Sequence, residues 1–352
     1  MDAAGPVTAM GGHMRVFSEI ESLQADFPGF MIWRETIMGR VTYVARARAE
    51  GTNPCVVTAR SLERLRVRLE EPLVPFDPTR PNVARVYDYL LGGKTNFAAD
   101  RDEAARLLEV YPLLRELARE NRQFLTRAVA HVARQGITQF IDVGAGLPTS
   151  PNTHEIAQQA DPAARVAYVD NDPVVITHAR CLLAKNAGVV AVPGDLRDPD
   201  AILGSPALAG LIDLAEPVCV LLVAVLHFLD TPTAAKVTAA FTRAMAPGSY
   251  LVLSVGHAGP GDMTAIHRAY TAARLHHHAR EDIGAFFSGL DLIPPGLVDA
   301  RSWHPPGAGP PGADSRGTER AATVLAGAGR KPALPRRTSH HQAPAERSGP
   351  PG

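Results

Sequence analysis

Three short apolar runs through the middle of this chain each end in an aspartate: Gln139 to Gly146 (QFIDVGAG), Ala164 to Asp170 (ARVAYVD) and Val189 to Asp195 (VVAVPGD). Runs this apolar, with little alternation, suit strands buried on both faces, which is the condition of a parallel sheet. A carboxylate at the end of such a strand is carried to the carboxyl edge of the sheet, where open α/β folds bind their ligands. In the first run the acid is followed by Gly144 and Gly146, whose missing Cβ atoms let a ligand approach the backbone. Ser150 and Pro151 then read as the N-cap and first position of a helix, leaving unpaired N–H groups for a ligand to rest against.

The turn separates two kinds of cofactor. A dinucleotide fingerprint asks for G-x-G-x-x-G and a helix N-terminus aimed at a pyrophosphate. Here the turn reads Gly144-Ala145-Gly146-Leu147-Pro148-Thr149, without the third glycine, and Asp142 just before it repels a diphosphate and attracts a cation. S-adenosylmethionine carries an ammonium, a sulfonium and no phosphate, so on charge it fits better than NAD. An NAD-type oxidoreductase and a binding module without chemistry stand as the alternatives. Asp170, 28 residues after Asp142, is placed to take both hydroxyls of a ribose.

Six blocks in order, RVYDYLLGGKTNFAAD (85–100), NRQFL (121–125), FIDVGAGLPTSPNTHE (140–155), YVDNDPVV (168–175), GDLRDPDAI (194–202) and LLVAVLHF (221–228), resemble a family of S-adenosylmethionine-dependent methyltransferases. The resemblance spans roughly Asp77 to Lys331. It implies a doubly wound, mostly parallel, seven-stranded sheet with its last strand antiparallel, S-adenosylmethionine as cofactor, and a lid over cofactor or acceptor formed by the block containing Tyr87, Tyr89, Lys94 and Asn96. In that frame Asp142, Gly144 and Gly146 meet the amino-acid end of the cofactor, Asn171 supports Asp170 at the ribose, Asp195 takes the adenine amine, and Leu196 packs on the ring. Ordinary roles compete: a turn cap for Asp142, a plain turn for Gly194-Asp195, a helix-turn-helix packing element for the tyrosine block, and for Asp172 the cap of a helix starting at Pro173. His227 ends a fourth buried run (Leu221 to Leu226) and is the candidate base for an acceptor hydroxyl or amine, against a structural role.

Coarse strands fall at 138–143, 165–170, 189–193, 218–226, 249–255, 291–298 and 321–328, with helices starting near Asn152, Pro173, Pro199, Pro232, Met263 and Glu281. Helical spacing at 103–108 and 113–134 puts helices before the first strand. Residues 1–72 read as a small helix-and-strand extension, with an amphipathic helix at Ser61 to Glu71; 73–332 is the enzyme-like domain; 333–352, rich in Pro, Gly, Arg, Ser and His, is expected to be a disordered tail. The proline- and glycine-rich stretch Ser302 to Gly317 reads as a long loop.

Charge balances, with 36 basic and 36 acidic residues, so nothing global points to nucleic acid. Cys55, Cys181 and Cys219 match neither a disulfide framework nor a zinc spacing and read as buried small hydrophobes of a cytoplasmic protein. His276-His277-His278 has no acids at ligand spacing, so no metal is expected. No run approaches the about 20 apolar residues of a membrane span. The expected acceptor is a small molecule.

Overall fold

Two sheets form, and they differ in how their strands are joined. The computed structural model describes residues 19–37, 40–48, 56–70, 77–183, 186–258, 264–307 and 322–333. Near the N-terminus a helix over residues 19–26 (α1) precedes β1 (Phe30–Ile37), β2 (Arg40–Ala47), β3 (Val56–Ala59) and helix α2 (Leu62–Glu70), with the three strands antiparallel in that order. Side chains alternate along β1, where Phe30 and Ile32 are buried and Met31 is exposed, so one face packs on Leu23 of α1 and on Leu65 and Leu69 of α2. Gln24 ties α1 to the edge of β1, donating to the Phe30 carbonyl at 2.6 Å and accepting from the Ile32 amide at 2.8 Å.

The larger unit opens with helices α3 (Val83–Leu91), α4 (Ala98–Val110) and α5 (Leu114–Arg134). Helix α3 starts where Asn82 accepts from the Ala84 amide (2.8 Å) and stops at the left-handed Gly92. Strands β4 (Gln139–Val143), β5 (Arg165–Asp170), β6 (Val189–Pro193), β7 (Cys219–Val223) and β8 (Tyr250–Ala258) are parallel, and β11 (Ala322–Arg330) runs antiparallel against β8. Between them lie α6 (Thr153–Ala160), α7 (Pro173–Leu183), α8 (Pro199–Leu203), α9 (Pro206–Ala209), α10 (Thr231–Ala244), α11 (Thr264–Ala269) and α12 (Arg280–Ala285). The order β11-β8-β7-β4-β5-β6 places β4 between β5 and β7, so the winding reverses at the end of β4. Such a switch point opens a crevice at the carboxyl edge. Buried apolar clusters fill both faces of the sheet, as the unalternating strand sequences require.

Four expectations need correction. The strand expected at 291–298 is reduced to β9 (Asp291–Leu292) and β10 (Val298–Asp299), both paired with β11. Pro294 and Pro295 lie between them and have no N–H to donate to a ladder. The loop expected from Ser302 begins inside the core: Trp303 is fully buried, edge-on to Phe124 at 5.1 Å, and Arg127 donates to its carbonyl at 2.9 Å. Residues 308–317 of that loop, like the tail at 334–352, lie outside the described residues. Helix α6 begins at Thr153 rather than Pro151, with the Asn152 amide donating to Glu155 at 2.6 Å. Cys219 is buried as expected, but Cys181 is exposed, and Cys55 lies outside the described residues. Among the described residues no helix is long and apolar enough to cross a membrane.

Candidate functional site

The turn after β4 is built by its two glycines, and its amides are not free. Gly144 and Gly146 both take positive φ (70° and 65°), a conformation costly for a residue with a Cβ. A Cβ on Gly144 would stand 2.3 Å from a Val225 methyl carbon, whereas one on Gly146 would meet nothing within 4 Å. The Gly144 and Ala145 amides donate to the Val169 carbonyl (2.8 and 3.1 Å), and the Gly146 amide donates to Asp170 Oδ2 at 2.9 Å. All three amides of this turn are thus taken by β5. An anion at this turn would find carboxylates in place of donors.

Asp170 sits at the centre of this arrangement. It is 8% exposed and accepts from Gly146 and, through Oδ1, from the Asp172 amide (2.9 Å), while burial pushes its carboxyl up to about 6. Asp142 is also raised by burial, against the pull of a 2.6 Å bond from the Thr153 hydroxyl and of the nearby Arg122 charge. Asp172 caps α7, accepting from the Val174 amide at 2.7 Å, with its second oxygen 4.0 Å from Arg85. Exposed Asn171 faces the same cavity. Asp195 is held below the usual carboxylate range by the Arg197 guanidinium, which lies 2.5 Å away, and Leu196 packs partly buried beside it.

At the other end of the edge, β7 ends in Ala224, a non-glycine residue with φ of 57°. Ser254 of β8 holds it there, its hydroxyl and carbonyl each accepting from the Ala224 amide at 3.0 Å. A 3₁₀ turn then carries His227, whose Nδ1 accepts from the Gly256 amide at 3.3 Å. Burial, and then the neighbouring His278, lower its pKa to about 4. The ring is therefore neutral at pH 7, and with Nδ1 engaged as an acceptor its proton resides on Nε2.

A strap over residues 271–278 lines the cavity from Ala272 to His277 and is tied at both ends. Glu103 of α4, fully buried, accepts from the amide and hydroxyl of Thr271, from the Ala272 amide (3.1 Å) and from Arg106. Burial would raise Glu103, but those hydrogen bonds outweigh it and hold the carboxyl below its ordinary value. At the far end the His276 amide donates to the His227 carbonyl (2.8 Å), and His278 bridges the Leu226 carbonyl (3.1 Å) and the Thr231 hydroxyl (2.9 Å).

These elements enclose one cavity of about 780 Å³ at the switch point, lined by Asp142, Gly144, Gly146, Asp170, Asn171, Asp195, Leu196, His227 and Tyr87 together with the strap. The lid block is otherwise corrected, because Tyr89, Lys94 and Asn96 are not among the lining residues. Tyr89 stacks under Arg115 (4.8 Å), Asn96 donates to Asp88 (2.9 Å) to close the glycine turn, and Lys94 is exposed. In the same block Arg85 donates to buried Asp100 at 2.9 Å, fastening α3 to α4.

Sequence reasoning missed Asn121 and Arg122. Asn121 lies buried in the stripe Leu117, Asn121, Leu125, and a polar residue at an apolar spacing was the available signal. It donates to the Tyr87 hydroxyl (2.9 Å) and accepts from Ser254 (2.6 Å), so one hydrogen-bonded chain joins α3 to the strained end of β7. Arg122 lines the cavity and donates to the Thr149 and Pro151 carbonyls, both at 2.5 Å.

The strand order, with a carboxylate-edged cavity where the winding reverses, makes this a Rossmann-like domain of the class I methyltransferase type. Residues 70–332 match the family model described as S-adenosyl methyltransferase, and the chain belongs to that family. Two solved structures are similar to it. One, described as a DUF574 family protein from Streptomyces avermitilis, is 37% identical over 73% of this chain and 99% of its own, with a TM-score of 0.67. The other, described as a candidate methyltransferase from Thermobifida fusca, is 39% identical over 72% of this chain and 96% of its own, with a TM-score of 0.65. No curated protein matches. The cofactor is accordingly S-adenosylmethionine and the activity methyl transfer.

Proposed function

We propose that the cavity seats S-adenosylmethionine over β4, β5 and β6 and a small-molecule methyl acceptor beside it. The observation that carries this reading is the engagement of the Gly144, Ala145 and Gly146 amides by β5, which leaves carboxylates facing the ligand. A cationic donor without phosphate suits that edge, and the pyrophosphate of NAD does not. The open space above Gly146 is the kind of cradle that a side chain would fill.

Asp170, ionised, accepts from the ribose hydroxyls, with Asn171 beside it. Asp195 exchanges its contact with Arg197 for the adenine amine while Leu196 covers the ring. Asp142, steadied by Thr153, meets the amino-acid end, and Gly144 and Gly146 let the backbone close on it. When bound, S-adenosylmethionine would supply a methyl group to the acceptor's oxygen or nitrogen, the carbon–sulfur bond electrons leaving with sulfur as S-adenosylhomocysteine and the acceptor's proton passing to solvent, so the protein's task is alignment and exclusion of water from the sulfonium. The strap and Tyr87 serve that exclusion. His227 acts as an Nε2–H donor that orients the acceptor. The general-base role expected of it is replaced, because the lone pair on Nδ1 already receives the Gly256 proton.

Titrating the purified protein with S-adenosylmethionine, S-adenosylhomocysteine and NAD tests the cofactor half; the first two bind and NAD does not. Transfer of tritiated methyl into a cell extract tests the chemistry, and a protein that binds the donor but labels nothing is a binding module. In that assay His227→Ala slows transfer about tenfold, and His227→Gln, which keeps an N–H donor, restores most of it. Equal slowing by both variants would return His227 to a base.

A further inference from the structure

Resting on the methyltransferase reading, the wall opposite the carboxylates defines what the acceptor is. Leu90 of α3, Leu107 of α4 and Leu114 of α5 line the cavity, and all three belong to one apolar cluster that also takes in Tyr270. Phe228, next to His227, extends this surface with its ring centroid 6.0 Å from that of Tyr270. The cavity's other charged side chains, among them Arg122, Arg274 and Asp230, stand outside this cluster. Buried Glu103 of α4 is saturated by Thr271, Ala272 and Arg106 and holds the strap.

Size allows two occupants. A single small ligand is served by as little as about 300 Å³, so about 780 Å³ has room for the cofactor and a second molecule side by side. The two ends differ in chemistry: Asp142, Asp170 and Asp195 lie over β4 to β6, and the apolar cluster lies across α3, α4 and α5 beside the β7 end. An apolar acceptor body leaves water favourably against the leucines, Phe228 and Tyr270 there.

We propose that the methyl acceptor is a small molecule with an aromatic or branched apolar body, seated against Leu90, Leu107, Leu114, Phe228 and Tyr270 with its polar, methyl-accepting end toward His227.

The test is calorimetric and needs no turnover. Wild-type protein saturated with S-adenosylhomocysteine is titrated with 2-naphthol and, separately, with L-tyrosine, which presents a phenol on a charged body. The 2-naphthol binds at least about tenfold more tightly. Leu114→Trp, which fills the compartment from a partly buried position, weakens 2-naphthol at least about tenfold and leaves S-adenosylhomocysteine affinity and the unfolding midpoint near wild type. Ile266→Phe, on the strap side of the same cavity, is the second variant and acts in the same direction. Equal binding of the two probes, or 2-naphthol binding indifferent to both variants, overturns the inference while leaving the cofactor site standing. Failure of S-adenosylhomocysteine to bind wild type overturns the methyltransferase reading itself, and this inference with it.

Discussion

Across the cavity, two walls each contain a buried acid, and the acids do opposite things. On the sheet side Asp170 is buried with its pKa pushed up to about 6, facing open space with only backbone amides as partners. On the helical side Glu103 is fully buried with its pKa held down, because Thr271, Ala272 and Arg106 occupy its oxygens. Burial alone would raise both. The difference is the number of donors already supplied by the protein. A carboxylate left short of donors is an acceptor waiting for a ligand, and a saturated one is a structural tie.

The largest effect that this contrast forecasts is at Asp170. Asp170→Ala lowers S-adenosylhomocysteine affinity about 100-fold or more, since two hydrogen bonds to a charged group are lost, each worth about 1.5–3 kcal/mol. The fold is retained. A pH series sharpens the point. Only the ionised carboxylate accepts from both hydroxyls, so wild-type affinity falls by up to about tenfold per pH unit below about 6. Apo stability runs the other way. Because the folded pKa lies above the ordinary value of 3.8, the native state holds its proton longer than the unfolded chain, and stability is lost as pH rises from about 4 to about 6. The loss is about 3 kcal/mol at most. Asp170→Asn cannot ionise and loses the Asp170 contribution to both slopes, leaving that of Asp142 and Asp172. Unfolding midpoints that track pH identically in wild type and Asp170→Asn would break the comparison.

Glu103→Gln is the reciprocal experiment and the next in size. The amide oxygen still accepts, but the charge is gone and an NH₂ faces donors, so stability falls by about 2 kcal/mol, read from denaturant midpoints. Cofactor affinity changes little. Loss of S-adenosylhomocysteine binding on the scale of Asp170→Ala would show that Glu103 serves the ligand and not the strap.

The same contrast explains what could be read from the sequence. The sheet wall was legible because each of its acids lies at or just past the end of an apolar run, and a period-free run followed by Asp and Gly states strand, edge and turn within eight residues, as in QFIDVGAG. Asp142, Asp170 and Asp195 follow from local pattern, and only their partners needed coordinates: Thr153, Gly146 and Arg197. The helical wall was illegible because its contacts join residues far apart. Glu103 meets Thr271 across 168 positions, and Asn121 meets Ser254 across 133. Neither pairing leaves a local trace beyond a polar residue at an apolar helical spacing. The tyrosine block misled for a related reason: aromatic and polar tips beside two glycines suit a ligand lid, but Asp88, Asn96 and Asp100 turn those polar groups inward on one another and on Arg85. Pro294 and Pro295 divided the sixth strand although its apolar content did not announce it.

The smallest effects lie within that block, and they decide whether it is lid or scaffold. Lys94 is exposed and outside the cavity lining, so Lys94→Ala leaves stability within about 0.5 kcal/mol and S-adenosylhomocysteine affinity unchanged. Tyr87 is different in kind. Its hydroxyl donates to the Ala118 carbonyl at 3.0 Å and accepts from Asn121, which in turn engages Ser254 and so the left-handed Ala224. Tyr87→Phe keeps the ring and removes that link, leaving the buried Asn121 amide one partner short at a cost of about 1 kcal/mol. The double variant Tyr87→Phe with Ser254→Ala costs less than the sum of the two single changes, because both cut the same chain. Strict additivity would mean that α3 and the end of β7 are independent.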